Sequence, residues 1–218
     1  MTELFLKSQA EKIYKLLVEE YPNPRPALHY NSSYELLAAT ILSAQCTDER
    51  VNSVTKYLFE IFPNPKMLSS AKVEDLEKII FSTGFFKQKA KNLIACCKKI
   101  VKEHNSEVPR DFDELVKLPG VGRKTASVVA GNAFGIPSIA VDTHVKRLAN
   151  LLGLVDSKNP DLIEIKLKTL LPEKHWINIS HLFAMHGKKV CVAQKPKCRI
   201  CILKNYCPSF KNEKVKNG

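Results

Sequence analysis

Leu118–Gly131 reads LPGVGRKTASVVAG, and the fold can be read outward from it. Pro119, Gly120 and Gly122 punctuate a tight turn. Behind the turn, Ala126, Val129 and Ala130 recur at helical spacing, so a helix starts just past Gly122. Ahead of it, DFDELVKL (111–118) carries a helical pattern of its own. Arg123 and Lys124 then fall in the first turn of the second helix. That is the positive end of the helix dipole, where cations are disfavoured. A local rule broken in this way marks a functional position. A glycine hairpin at a helix N-terminus can also aim backbone N–H groups, those around Gly120 and Gly122 among them, into a cup that binds phosphate. Such a cup would hold a nucleic-acid backbone without reading its sequence. An ordinary packing corner explains LPGVG equally well.

The rest of the chain is also helical. Ala10, Ile13 and Leu17 mark a helix over residues 8–20, stopped by Pro22. Ser32 and Glu35 form a capping box for YELLAATILSAQ, which should end near Cys46. Asp48 opens a helix with Val51, Val54, Leu58 and Ile61 inward and Pro63 beyond its end. VEDLEKII (73–80), KAKNLIACCKKIVKEH (89–104), DTHVKRLANLLG (142–153) and HWINISHLFAMHG (175–187) read as further helices. Asn159 and Pro160 open another as cap and first residue. STGFFKQ (82–88) is a turn, GIPSIAV (135–141) a connector, and the tail 211–218 should fray. Neither β-hairpin signals nor internal repeats occur. The fold class is all-α.

Lys and Arg number 34 against 22 acids, a net charge of +12. A balance that basic points to a polyanionic partner, nucleic acid first, although a lysine-rich proteome would produce it too. No apolar run approaches the length needed to span a bilayer. The start MTELFLKSQAEKIYKLL is amphipathic and acid-bearing, unlike a signal peptide. A cytoplasmic protein is therefore expected, nucleoid-associated where the polyanion it binds is DNA.

Four of the seven cysteines sit in CVAQKPKCRICILKNYC: Cys191, Cys198, Cys201 and Cys207. In a cytosolic chain such a cluster signals a metal site rather than disulfides. Four thiolates suit tetrahedral zinc or a [4Fe–4S] cluster, and spacing does not separate the two, though a single close pair leans towards iron–sulfur. Lys195, Lys197 and Arg199 between them form a basic loop facing phosphates. Cys97 reads as a small core residue.

LPGVGRKTA followed by IAVDTHV resembles the helix-hairpin-helix and aspartate signature of the endonuclease III superfamily of DNA glycosylases. SAQCTD (43–48) resembles a further stretch of that family, and the terminal cysteine spacing is similar to its iron–sulfur motif. The motifs span almost the whole chain in the family's order. The resemblance implies a two-domain helical fold. A six-helix barrel with the helix-hairpin-helix would cover 26–136, and a helical domain carrying a C-terminal [4Fe–4S] loop would be built from 1–25 and 137–218. It also implies a bound duplex carrying a damaged base or abasic site; a monomer is expected, since DNA would engage one cleft and the sequence carries no coiled-coil seam.

Within that resemblance Lys124 takes a role. A protonated amine is a poor nucleophile, and positive neighbours favour its neutral form. The placement that hinders folding then helps Schiff-base chemistry. Asp142, 142 − 124 = 18 residues on, matches the family's catalytic aspartate and is also a natural helix N-cap. Gln45 matches the glutamine that fills the gap left by an extruded base, where the residues alone also suit a capping amide. Phe85 stands where relatives carry leucine, as a wedge between bases or as a buried staple. His144 suits a phosphate contact or local packing.

The implied activity is removal of oxidised pyrimidines followed by β-elimination at the abasic site. Adenine-removing relatives carry serine in place of the lysine and a glutamate in the earlier helix; here Lys124 is present and LAATILSAQ has no carboxylate. An 8-oxoguanine glycosylase would share Lys124 and Asp142, and a zinc-bearing DNA-binding module would bind duplex without product.

Overall fold

The computed structural model describes residues 2–210. The expectation for the tail 211–218 lies outside them. The all-α reading is met: eleven α-helices and short 3₁₀ turns account for the regular structure, with no strand among the described residues. No described helix is long and apolar enough to cross a membrane. The chain divides into two compact units, one formed by Pro26–Ile136 and the other by Met1–Arg25 with Pro137–Gly218.

The continuous unit contains α2 (Ser33–Leu42), α3 (Asp48–Ile61), α4 (Pro65–Ser69), α5 (Val73–Ile80), α6 (Phe86–Glu103), α7 (Phe112–Val116) and α8 (Arg123–Phe134). Apart from its first turn, α2 is apolar almost all round, and Leu36 through Leu42 are all buried. A helix of that composition belongs at the centre of its unit. It packs against α8, and α6 packs against α4 and α5. The core between them includes Leu58, Leu76, Leu93, Ile100 and Val129. Each such side chain, taken out of water, stabilises the unit by roughly 1.5–3 kcal/mol.

The helix ends refine the sequence expectations. Ser32 Oγ accepts from the Glu35 N–H at 3.2 Å, one half of the capping box. The Glu35 carboxylate reaches back to the Asn31 N–H at 2.6 Å, where it also meets Asn31 Nδ2. Helix α2 stops at Leu42 instead of continuing to Gln45. The Ser43 hydroxyl turns back onto the Thr40 carbonyl, and residues 43–46 form a turn. Helix α4 is absent from the sequence reading, although Asn64 and Pro65 carry the same cap-and-proline signal as Asn159 and Pro160. Helix α6 begins three residues before Lys89 because Phe86 packs on Phe81, ring centroids 4.7 Å apart.

The second unit gathers α1 (Glu3–Glu20), α9 (Thr143–Leu151), α10 (Pro160–Leu170) and α11 (Trp176–Lys189) with the cysteine segment. Its core includes Ile13, Leu17, Leu148, Leu167, Leu182 and Phe183. Gln9 in α1 donates through Nε2 to the Leu152 carbonyl at 2.9 Å and the Tyr206 carbonyl at 3.0 Å. One buried amide thereby ties the N-terminal helix to the last segment of the unit. Cys96 and Cys97 lie in the core of the other unit, as a buried free cysteine commonly does, with Cys46 packed at its margin.

Candidate functional site

In the continuous unit three exposed turns carry the residues singled out above. The first is the hairpin between α7 and α8. Gly120 has φ +78°, and a Cβ built on it would lie 2.8 Å from Asn92 Cβ. The fold itself therefore requires glycine there. Gly122 differs: its φ is −93° and a Cβ would meet nothing within 4 Å. Nothing inside the unit asks for its missing side chain. Gly122 is the N-cap of α8, no side chain caps that helix end, and no acid lies in its first turn. Arg123 and Lys124 are both exposed there, with the Arg123 guanidinium 5.3 Å above the Phe112 ring.

The second turn follows α2. Gln45 is exposed with φ +54°, and among the described residues its side chain makes no hydrogen bond. The capping of α2 falls to Ser43 instead. The third turn precedes α6. Phe85, its N-cap, has φ +46° and is 67% exposed. The structure separates the two phenylalanines: Phe86 packs inward and Phe85 does not. A left-handed phenylalanine is rare, and strained backbone of this kind gathers at ligand contacts.

In the other unit Asp142 is the N-cap of α9, its Oδ1 accepting the Val145 N–H at 2.8 Å. The carboxylate is thus held by backbone. His181 lies within its electrostatic reach. Burial pushes the His181 imidazole down to about 4, with Asp142 pulling the other way. His144 is half-buried, its Nδ1 accepting from Arg147 Nη2 at 3.1 Å. A Cβ on Gly187 would lie 2.7 Å from that ring nitrogen, so α9 and α11 meet here through a glycine.

The four terminal cysteines line one pocket with Leu148, Leu151, Leu152 and Leu203. Burial pushes the Cys191 thiol up; Arg147 opposes this, and Cys198 and Cys207 add to it. Cys201 is raised likewise, chiefly by burial. The sulfurs feel one another, yet among the described residues no three His, Cys, Asp or Glu side chains could hold a single metal ion. Arg147 donates to the carbonyls of Gly187 (3.0 Å) and Cys191 (2.7 Å), and His186 Nε2 lies 3.3 Å from Cys201 Sγ. Lys195, Lys197 and Arg199 are exposed on the intervening loop.

Lys89 went unnoticed in the sequence. It is 5% exposed and donates to the carbonyls of Leu42 and Thr83 at 2.8 and 2.7 Å. Its signal was a lysine on the same face as Leu93, Cys96 and Ile100 in an otherwise amphipathic helix. Gly187 and Arg147 also escaped notice, since nothing local marks a contact between distant helices.

A helical hairpin with an open glycine at its helix N-terminus, an exposed lysine beside it and a second helical unit with four thiols lining one pocket fit a class of helical DNA-repair protein. The chain belongs to the HhH-GPD superfamily of base excision DNA repair proteins, whose family model matches residues 38–173, and within it to the endonuclease III family. It is 48% identical over 204 residues to endonuclease III of Synechocystis sp., covering 93% of each chain. The fold is similar to that of an endonuclease III in non-covalent complex with DNA, at TM-score 0.92 and 39% identity, covering 99% of both chains. A trapped covalent endonuclease III–DNA intermediate is similar too, at TM-score 0.91 and 39% identity, with 98% and 99% covered.

Proposed function

We propose that this base excision repair protein removes oxidised pyrimidines from duplex DNA and cleaves the abasic site through a Schiff base on Lys124. The observation that carries this is Lys124 itself: an exposed amine in the first turn of α8, beside a hairpin whose Gly122 the fold does not need. The solved covalent complex of a relative supports the same chemistry.

A damaged base inside the stack is out of reach, so the nucleotide is flipped out. The hairpin N–H groups around Gly120 and Gly122, with Arg123, hold the backbone. Gln45 enters the gap and Phe85 wedges between neighbouring bases. Lys124 forms a bond from its nitrogen to C1′ as the base departs with the glycosidic electron pair and takes up a proton. Asp142, held by its cap bond, stabilises the positive charge on the sugar. The nitrogen gives up a proton, O4′ takes one up as its bond to C1′ breaks, and the ring opens to an imine protonated on nitrogen. Loss of a C2′ proton then expels the 3′ phosphate, so the strand breaks by β-elimination.

The unit 26–136 is read as the six-helix barrel with its helix-hairpin-helix, and 1–25 with 137–218 as the iron–sulfur domain. Cys191, Cys198, Cys201 and Cys207 would hold a [4Fe–4S] cluster. Four soft donors in one leucine-lined pocket suit that group. Bound there, the cluster supplies cross-linking of the C-terminal segment. That organises Lys195, Lys197 and Arg199 as a loop towards phosphates, with His144 as a further candidate backbone contact. Purified protein that absorbs in the visible and loses that band in Cys207→Ser is expected; a colourless zinc protein contradicts the assignment.

The central test is borohydride trapping on a duplex with one abasic site. Wild type should give a covalent adduct and Lys124→Ala none. An adduct of equal yield from Lys124→Ala would overturn the role of this lysine.

A further inference from the structure

Lys89 has no part in the chemistry above, yet it is the buried cation of its unit's α6 face. Its two acceptors have distinct origins. The Leu42 carbonyl is at the end of α2, and the Thr83 carbonyl ends the 3₁₀ turn Phe81–Thr83. Helix ends leave such carbonyls without intrahelical partners, and a lysine is a natural donor to them. Gln45 follows Leu42 by three residues and Phe85 follows Thr83 by two. Both are exposed and left-handed. Burial pushes the Lys89 amine below its ordinary range, with Cys46 opposing, so a desolvated group is kept here by its two short bonds.

The same stripe of α6 does more. Phe85, Lys89 and Asn92 stand at i, i+4 and i+7. Phe85 is the helix N-cap, Lys89 bonds the last carbonyl of α2 just ahead of the Gln45 turn, and Asn92 abuts Gly120 of the hairpin. One helix therefore borders three exposed turns.

We propose that Lys89 is a positioning residue: by bonding the carbonyls of Leu42 and Thr83 it holds the Gln45 and Phe85 turns in mutual register, so that both enter the duplex together as the damaged nucleotide leaves. This rests on the reading of Gln45 and Phe85 as DNA contacts. Preformed turns lose less freedom on insertion, which is where such a clamp acts. Lys89 itself touches no reacting atom in this account.

The test compares full-length Lys89→Met with wild type in three measurements. In the free protein, amide exchange at residues 43–47 and 83–86 should quicken together while the α3 and α8 amides keep their protection. Base removal from a duplex with one oxidised thymine should slow by about tenfold to 10²-fold, the scale of a misplaced contact. Trapping on a single strand that already carries an abasic site needs no insertion, and should stay within about twofold of wild type. In a Gln45→Ala background Lys89→Met should add little, since interacting residues are not additive. Lys89→Arg, which keeps a cationic donor, should recover part of the duplex activity.

Unchanged exchange at both turns, equal losses on the two substrates, or a full additional loss over Gln45→Ala would each overturn the proposal. Should Lys89→Met not fold, Lys89→Gln, a shorter neutral donor, carries the same comparison. If Gln45→Ala and Phe85→Ala each leave duplex base removal unchanged, the reading of the turns as DNA contacts fails, and this inference falls with it. The exchange data identify that case, because they report the clamp without DNA.

Discussion

Gly120 lies against Asn92 so closely that an added Cβ would sit 2.8 Å from the Asn92 Cβ, while Gly122 faces open space. The two hairpin glycines thus answer to different demands. Gly120→Ala forces a side chain into φ +78° and into α6; it should cost about 2 kcal/mol or more. Gly122→Ala exchanges a glycine N-cap for a poor one and should cost only about 0.5 kcal/mol. It should nonetheless weaken DNA binding, because the added methyl stands in the open space where the proposed phosphate contact is made. Urea unfolding and a binding titration on abasic-site duplex separate the two effects. Tight binding by Gly122→Ala would remove the hairpin from the interface.

Substitution can divide the cap that Asp142 forms from the chemical role proposed for it. Its Oδ1 accepts the Val145 N–H. Asparagine caps nearly as well as aspartate, whereas alanine loses about 1 kcal/mol. Asp142→Asn should therefore keep its unfolding midpoint while base removal slows by about 10²-fold or more, through loss of the charge that stabilises the sugar. An Asp142→Asn enzyme of normal rate would leave Asp142 as a cap alone.

His181 makes stability depend on pH. Its folded pKa is pushed down to about 4 by burial, against 6.5 for the free side chain. The unfolded chain then binds more protons between these values, so stability is full above 6.5 and falls as the pH drops towards 4. Between pH 7.5 and 5.5 this group should cost about 1 kcal/mol. His181→Gln should flatten the urea-unfolding profile over that interval. An unchanged slope would assign the pH dependence elsewhere. His186, buried beside Cys201, is lowered to about 4 as well, so a residual slope is expected in the variant.

Much of this protein was written locally. The all-α class came from helical spacing, and Asn159, Ser32 and Asp142 each cap the helix that their side-chain chemistry foretells. The hairpin, with Arg123 and Lys124 beyond it, was legible because a glycine turn and a misplaced cation are both short-range signals. Helix ends were less so: α2 stops before Gln45, and α6 starts early through Phe86 packing on Phe81. The end of α2 meets Lys89, 47 residues on, and the start of α6 turns on a contact between two rings five residues apart, a spacing that helical periodicity does not mark.

What the sequence by itself determined was which residues could do chemistry and on what element each sits, because caps, turns and periodicity act over a few residues. What only the tertiary structure decided was which of them the fold had already claimed. Gly120 is needed by Asn92 and Gly122 by nothing inside its unit; Phe86 turns inward and Phe85 outward. Lys89, one of many lysines in a basic chain, became the buried link between two turns. Close packing brings such groups together across dozens of residues, and neither composition nor spacing carries that distance.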